Sequence, residues 1–342
     1  MFAKLSLQVY SYQGGAEMTT KEQLVANLKS RFPSRNKNKR AAAVVKVSKA
    51  LGMHLAHQAT ILSPSDLANY IRYKILPGIP YGGRGSWYEG FRALCRDLDR
   101  LDTIETTARS IFILKGNKKL PFVTFSELPI VTCPGRGPCA EFCYTFVGWR
   151  SPLAFLRQLY NTVVMLHRPD LIRAHFMALP RDAIVRLYVD GDFTNARILT
   201  FWLELIAARP DLAVYGYSKS WALFAAHTGP FPDNYRLNVS SGSRYGLDLQ
   251  KQLEQLTRVN GSPLVRGVFA AVSIDMTGID NKTRYQNPLY HSRVREAILA
   301  EYGVRGFSCP GECGECVNGA HACNNSKFQN VVIGIGIHGG GR

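Results

Sequence analysis

The chain has 342 residues, of which 46% are hydrophobic, so it can bury one large core or two ordinary ones. It carries 42 Lys and Arg against 25 Asp and Glu, and this net charge of +17 favours a polyanionic partner such as RNA or DNA. The apolar runs are too short to cross a bilayer, and the first residues lack the apolar stretch of a secretion signal. We therefore expect a soluble cytoplasmic protein with no membrane partner.

The amino-terminal part is expected to be helical and basic. Residues 1–17 look unlike the rest of the chain, and we interpret them as a loose tail or as a start assigned too early, with Met18 as the true start. Residues 18–80 are predicted to form a small basic helical module, whose first helix begins at Met18 and ends at Pro33. Residues 81–118 are expected to form a connecting helical region.

Positive charge is concentrated near the amino terminus. Residues 1–50 hold ten basic and two acidic side chains, and the density peaks in SRNKNKR at 34–40, just before a second predicted helix at about Lys39–His57. Such a run is typical of a phosphate-binding arm, and equally of a solvated turn between two helices. The candidate nucleic-acid-binding residues are Arg35, Lys37, Lys39 and Arg40.

Short β-branched runs alternate with helical patterns in residues 119–342. The predicted strands are Pro121–Phe125, Ile184–Val189, Ala213–Tyr217, Arg236–Ser240, Gly267–Ser273 and Val331–Ile335. The predicted helices between them are Pro152–Leu166, Ala196–Ala208, Ser220–His227, Leu247–Leu256 and Pro288–Glu301. This alternation predicts an α/β fold with a parallel sheet, as a complete or partial β/α barrel with Cys-rich loops or as a doubly wound sheet.

Seven of the eight cysteines fall in two glycine-rich segments. Cys95 stands apart in a helical pattern and is expected to be a buried apolar residue. The first group is Cys133, Cys139 and Cys143, and the second is Cys309, Cys313, Cys316 and Cys323. Tight turns let several sulfurs face one centre, so we predict that both groups bind metal. Disulfides are the alternative, which the lack of a secretion signal and the size of the chain disfavour.

The cysteine pattern leaves the metal undecided, because thiolates suit zinc and iron–sulfur clusters alike. The second group supplies four ligands, enough for a zinc site. His321 could replace one of them, although a solvent-facing loop position is the simpler interpretation. The spacing Cys309-x3-Cys313-x2-Cys316 resembles the radical S-adenosylmethionine superfamily, in which three cysteines hold a four-iron cluster.

In that superfamily the motif follows the first strand of the barrel. Here the first cysteine group takes that position, with a different spacing and an aromatic residue, Tyr144, beside its last cysteine. If the barrel closes, its first and last strands become neighbours, and the two cysteine groups could meet at one site.

An Asp–Gly–Asp turn follows the second predicted strand. The carboxyl ends of parallel strands carry the ligand site in α/β folds, so Asp190 and Asp192 could bind Mg²⁺, accept a proton or bind a ribose hydroxyl. An ordinary turn, with Asp192 capping the next helix, is the simpler interpretation.

Polar residues also follow the next two predicted strands. Lys219 lies among aromatic residues and could meet a phosphate or stacked bases, although a core or barrel interior is the simpler account of the tyrosines. We predict that three consecutive strand ends contribute to one pocket. The candidate catalytic residues are Asp190, Asp192 and Lys219, with no reaction assigned, and the remaining polar and aromatic candidates are Tyr215, Tyr217, Ser218, Trp221, Asn238, Ser240, Ser241 and Ser243.

Three segments together resemble the gene product 88 domain family of phages and plasmids. They are TCPGRGPCAEFCYTF at 132–146, VRLYVDGDFTNARILTFWLELIAARPDLAVYGYSKSW at 185–221, and the late cysteine cluster at 309–323. The resemblance covers about Pro121–Cys323 and implies no assigned activity. The length, the basic amino terminus and the plasmid-like family are also similar to plasmid fertility inhibitors. That likeness implies a protein that reduces conjugal transfer by ending transfer-operon transcription early, in contact with RNA or the transcription machinery.

Three functions remain open. The first is a plasmid- or phage-encoded regulatory protein that associates with nucleic acid and contains a structural metal centre. The second is an iron–sulfur enzyme of radical type that acts on a nucleic acid or nucleotide and uses S-adenosylmethionine. The third is a zinc-stabilised interaction protein. We favour the first, because the sequence displays no recognisable open iron or cofactor pocket.

Overall fold

The computed structural model describes residues 37–79, 81–83, 85–116, 120–141, 143–314, 316 and 321–337, with backbone only for 37–48. The predicted tail and first helix lie outside these residues. The helices are α1 Lys37–Ile61, α2 Pro64–Tyr70, α3 Trp87–Asp99, α4 Thr145–Gly148, α5 Pro152–His167, α6 Pro169–Met177, α7 Ala196–Ala207, α8 Trp221–Ala225, α9 Leu247–Glu254 and α10 Pro288–Tyr302. The strands are β1 Val123–Thr124, β2 Ile184–Leu187, β3 Ala213–Ser218, β4 Tyr235–Ser240, β5 Val265–Val272, β6 Phe307–Ser308 and β7 Ile333–Gly336.

The seven strands form one curled sheet, in which every hydrogen-bonded pair is parallel. The spatial order is β1-β2-β3-β4-β5-β7-β6, so the chain adds strands in one direction and reverses only at the far edge. A doubly wound sheet reverses near its centre, and this order excludes it. The predicted partial parallel β/α barrel is therefore confirmed.

The two faces of the sheet differ in chemistry. Alternate residues of β2 to β4 point to the convex face, where Val185, Val214 and Leu237 pack in the main hydrophobic core with the helices. The intervening residues face the concave side, and they are polar or aromatic: Arg186, Tyr215, Tyr217, Arg236 and Asn238. A one-residue bulge between Leu237 and Asn238 interrupts the β4–β5 register. The concave face is thus suited to binding polar groups.

The predicted strands and helices are close to those observed, with boundaries that differ by a few residues. Three elements of the α/β part were not predicted. β6 has two residues and α4 has four, which is too short for a periodic signal, and α6 follows α5 after a single residue, Arg168. As expected, Cys95 is buried, and its thiol donates to the carbonyl oxygen of Ala68 at 3.4 Å. No helix in the described ranges is long and apolar enough to cross a membrane.

Helix α1 packs closely on the chain around α4 and α5, because Gly52 leaves room for two aromatic rings. A Cβ atom at Gly52 would lie 2.4 Å from Trp149 Cζ3 and 2.9 Å from Phe155 Cε2. Trp149 is fully buried, and its indole nitrogen donates to Gln158 Oε1 at 2.7 Å, which fixes the ring. The helical residues from Leu51 to Leu98 share one continuous core with the convex face of the sheet. The proposed division at residues 80 and 118 stays a prediction.

We expect Gly52→Ala to destabilise the protein by about 1–3 kcal/mol, because the added methyl group overlaps a ring that cannot move away. The matched control is Gly148→Ala, where a Cβ atom would meet no heavy atom within 4 Å. Urea unfolding followed by tryptophan fluorescence measures both free energies of unfolding. Equal stability of the two variants would contradict this packing.

Candidate functional site

The carboxylate of Asp192 joins β2 to β3 at the carboxyl edge of the sheet. Its side chain is buried, and Oδ1 accepts from Phe193 N at 2.8 Å and from Ser218 Oγ at 2.7 Å, while Oδ2 accepts from Lys219 N at 2.7 Å. Burial raises the pKa of Asp192, and these hydrogen bonds oppose the rise. The cap of α7 is Asn195, whose side chain accepts from Ile198 N at 3.0 Å, so the interpretation of Asp192 as a helix cap is wrong.

Asp190 lies on the other side of the same turn and faces the helices. Its Oδ1 accepts from Thr145 Oγ1 at 2.6 Å, and its Oδ2 accepts from Gln158 Nε2 at 2.8 Å. Burial raises the pKa of Asp190, and the Thr145 hydrogen bond opposes that rise. Asp190 therefore ties the end of β2 to α4 and α5, and the two aspartates of one turn hold different parts of the fold.

The ends of β3 and β4 meet beside Asp192. Lys219 Nζ donates to Ser240 Oγ at 2.7 Å, and Ser243 Oγ donates to Lys219 O at 3.2 Å. Ser220 N donates to Ser218 Oγ at 2.9 Å, which continues the network inwards. The structure therefore brings polar groups from three consecutive strand ends to one edge.

The loop that contains Cys133, Cys139 and Cys143, here called the first cysteine loop, lies across this edge, at the ends of β3 and β4. A Cβ atom at Gly135 would lie 1.5 Å from Lys219 O, so only glycine can make this approach. Gly137 N donates to Gly242 O at 3.1 Å, and a Cβ atom at Gly242 would lie 2.9 Å from Cys139 Cβ.

The thiols of this loop are close to the aspartates. Burial raises the pKa of Cys133, and the nearby charge of Asp192 adds to the rise. Burial also raises the pKa of Cys143, and the nearby charge of Asp190 adds to the rise. The first cysteine group and the predicted catalytic residues Asp190, Asp192 and Lys219 therefore belong to one region of the molecule.

The second cysteine segment covers the concave face. Cys323 is buried and clusters with Tyr215 and Ile333, while Cys309 and Cys316 pack at the margin of this cluster. Polar side chains of the sheet hold the segment through its backbone. Asn238 Nδ2 donates to Cys323 O at 3.0 Å, and the fully buried Arg266 donates to Val331 O at 2.6 Å.

Burial affects the thiols of the second group. It raises the pKa of Cys309 to about 12, although the hydrogen bond from Gly311 N opposes the rise. Burial also raises the pKa of Cys323 to about 11. Two sulfurs accept backbone hydrogen bonds, Cys309 from Gly311 N and Cys316 from Ala322 N, each at 3.4 Å. Metal binding must remove the thiol protons, so we expect it to strengthen as pH rises.

The described residues have donors suited to a metal, although they do not form a finished ligand set. The eight cysteines form no disulfide, and no three His, Cys, Asp or Glu side chains in the described ranges are arranged to hold a metal ion. The chemistry of the second group nevertheless fits a thiolate-bound metal, because Cys309 and Cys316 pack against the cluster that contains Cys323, and two sulfurs accept N–H groups. The identity of the metal, and whether the two groups share one centre, stay predictions.

His321 is buried with only 6% of its surface exposed, so its interpretation as a solvent-facing loop residue is wrong. Its ring lies between Phe122 and Tyr215, with centroid distances of 4.9 and 4.7 Å. Within the described part of the chain, neither ring nitrogen has a hydrogen-bond partner, and the same holds for Tyr215 OH and Arg186 Nε. Burial, reinforced by Arg186 and Arg266, lowers the pKa of His321 to about 4, so the ring is neutral at physiological pH.

The predicted nucleic-acid-binding arm is largely outside the described residues. Arg35 lies outside them altogether. Lys37, Lys39 and Arg40 lie at the start of α1, where only the backbone is described. Their contact with phosphates stays a prediction.

Sequence reasoning missed a buried carboxyl group, Glu127, directly beneath the site. Glu127 is 1% exposed, Tyr188 OH donates to its Oε1 at 3.1 Å, and Trp202 Nε1 donates to Tyr188 OH at 3.0 Å. Glu127 N also donates to Asp190 O at 3.0 Å. Burial raises the pKa of Glu127 well above its usual range, although the Tyr188 hydrogen bond opposes the rise. A lone Glu after the first predicted strand was the available signal.

These features define a partial parallel β/α barrel with a cysteine loop over its polar carboxyl edge. The sequence profile of the gene product 88 family matches residues 96–263, and this part of the chain therefore belongs to that family. The match includes the first cysteine group and Asp190, Asp192 and Lys219, but it ends before the second cysteine group. No curated protein and no solved structure matches the chain significantly.

We expect the free energy of unfolding to depend on the charge of Glu127. Because burial raises its folded-state pKa, its contribution is fully present below the unfolded value of about 4.5 and is lost as pH rises through the folded value. Glu127→Gln should therefore melt higher than the wild type at neutral and alkaline pH, and its melting temperature should fall less from pH 5 to pH 9.

The matched control is Glu254→Gln on the exposed surface of α9. Thermal melts of all three proteins across the pH series measure the difference. The interpretation fails if Glu127→Gln and the wild type have parallel pH profiles.

Proposed function

We propose that this protein is a cytoplasmic regulatory protein of a plasmid or phage that associates with nucleic acid and is braced by a cysteine-bound metal centre. The observation that carries the proposal is the net charge of +17, which would release counterions from a phosphate backbone. The match of residues 96–263 to the gene product 88 family is compatible with a plasmid or phage origin.

A cavity in the helical layer supports phosphate contact. Its volume is about 470 Å³, and its lining includes Arg72, Arg92, Arg96 and Tyr88. Asp99 pairs with Arg72 at 2.6 Å, and Glu89 pairs with Arg92 at 3.1 Å, so a phosphate would compete with carboxylates at these two positions. Arginine forks suit phosphate oxygens, and a tyrosine ring suits an unstacked base.

The biological role that we propose is fertility inhibition. Such a protein would reduce conjugal transfer by ending transcription of the transfer operon early, in contact with nascent RNA or with the transcription machinery. Transfer frequency and the length of transfer-operon transcripts, with and without the protein, test this part separately from binding.

We expect the basic run at 34–40 to contribute to nucleic-acid affinity. The variant replaces Arg35, Lys37, Lys39 and Arg40 by Gln, and the matched control replaces four exposed basic residues of the α/β part, Lys251, Lys282, Arg295 and Arg305. Anisotropy titrations with labelled RNA and DNA between roughly 50 and 200 mM salt give the slope of log affinity against log salt. The arm variant should lose about 3 units of slope and the control should lose little, since each phosphate contact contributes about 0.7–0.9.

If both variants lose the same slope, the arm has no special role and the effect is one of net charge. If the wild type binds neither RNA nor DNA, the nucleic-acid proposal fails and a zinc-stabilised interaction protein is the better description.

A second candidate function, an iron–sulfur enzyme of radical type acting on a nucleic acid or nucleotide, is favoured by one specific observation. The first cysteine loop follows β1 and lies over the carboxyl edge of a partial parallel barrel, close to Asp190, Asp192 and Lys219. The ligands would be Cys133, Cys139 and Cys143. The cluster, if bound, would supply one-electron chemistry to S-adenosylmethionine, while the polar edge would orient the ligands.

Metal and sulfide content after purification without oxygen distinguishes the two candidates. Iron with sulfide, lost when Cys133, Cys139 and Cys143 are replaced by Ser, is the result expected for the enzyme. Stoichiometric zinc, lost when the four cysteines of the second group are replaced, is the result expected for the regulatory protein, and that variant should unfold or precipitate. Protein that contains neither metal contradicts both.

A further inference from the structure

The concave interior contains three neighbouring side chains with unsatisfied polar atoms. They are His321 with both ring nitrogens, Tyr215 with its hydroxyl group, and Arg186 with Nε. Tyr215 is fully buried, and His321 is more than nine-tenths buried. An unsatisfied buried polar atom costs about 1–3 kcal/mol. The neighbouring rings of His321 and Tyr215 contain three such atoms, which indicates that a ligand binds beside them.

The neighbours of His321 indicate what that partner is. His321 lies between Cys316 and Cys323 in sequence, and Ala322 N donates to Cys316 Sγ at 3.4 Å, so this sulfur lies against the turn that contains the imidazole. Cys323 belongs to the same buried cluster as Tyr215, and Cys309 and Cys316 pack against that cluster. Thiolate sulfur and imidazole nitrogen together are the ligands that zinc prefers in structural sites.

We propose that a zinc ion binds to His321 and three cysteines of the second group. Tyr215 is the positioning residue in this proposal: its hydroxyl oxygen is not hydrogen-bonded to His321 in the structure, and it accepts from the other ring nitrogen once the metal orients the imidazole. This inference rests on the metal centre of the proposed function and specifies its ligands. One coordination event satisfies the histidine and the tyrosine together, because the metal takes one ring nitrogen and the tyrosine hydroxyl group takes the other. Metal-bound histidines almost always hold their second nitrogen in this way.

The first measurement is the zinc environment of the full-length protein by X-ray absorption. We expect three sulfurs at about 2.3 Å and one nitrogen at about 2.0–2.1 Å. His321→Cys should keep stoichiometric zinc but change the environment to four sulfurs, so this variant keeps the test valid even if His321→Ala does not fold.

The second measurement is zinc affinity, by competition with a chromogenic chelator. Tyr215→Phe removes only a hydroxyl group, and it should weaken zinc binding by about 10–100-fold, as is usual for the loss of a group that orients a metal ligand. The matched control is His291→Ala, because His291 lies beside β6 but has both ring nitrogens partnered, by Ser308 Oγ at 2.8 Å and Tyr285 O at 2.9 Å. The control should change neither the affinity nor the spectrum.

The outcomes separate this inference from the proposal on which it rests. Zinc bound by four sulfurs, or unchanged affinity in Tyr215→Phe, overturns the role of His321 or Tyr215 and leaves the metal centre intact. A chain that binds no zinc overturns both. Nucleic-acid binding is measured independently and is not affected by either result.

Discussion

The buried carboxylate of Asp192 must find its hydrogen-bond donors inside the protein, because burial removes it from water. It finds them in the residue directly after it, Phe193, and in Ser218 and Lys219 at the end of the next strand. These bonds require β2 and β3 to end at the same level, and the Lys219–Ser240 bond extends the requirement to β4. The hydrogen bonds of Asp192 therefore fix the end of β2 relative to the end of β3, and the Lys219–Ser240 bond does the same for β3 and β4. The polar edge of the barrel consists of these groups.

The same constraint explains the glycines of the first cysteine loop. A chain that crosses the closely packed ends of β3 and β4 has no space for side chains on the surface that faces them, as the close approach of Gly135 to Lys219 O shows. Gly135 and Gly137 lie between Cys133 and Cys139, so the contacts of these glycines with the strand ends constrain the spacing of the two sulfurs.

Much of this architecture could be predicted, because parallel strands and their crossover helices leave periodic patterns in the sequence. The convergence of the strand ends could be anticipated for the same reason. The pairing of Glu127 with Tyr188 could not, since the two residues are 61 positions apart and each looks ordinary in its own segment. The burial of His321 was also hidden, because a loop of Gly, Asn and Cys reads as solvent-exposed until the concave face beneath it is known. Interpretation of Asp192 as a helix cap failed because Asn195 caps that helix three residues later.

In a closed barrel, further strands would enclose the concave face of the sheet. In this half-barrel the second cysteine segment covers that face instead. Without the carbonyl groups of residues 323, 328 and 331, Arg266 and Asn238 would keep only their hydrogen bonds within the sheet. Among the described residues of this loop, the regular structure consists of two short 3₁₀ turns, Ala322–Asn324 and Ser326–Phe328. Its order therefore depends on the sheet, and the burial of the sheet's polar face depends on the loop. Any ligand that fixes the cysteines of this loop would act on both at once, so metal binding and the stability of the half-barrel are expected to be thermodynamically coupled.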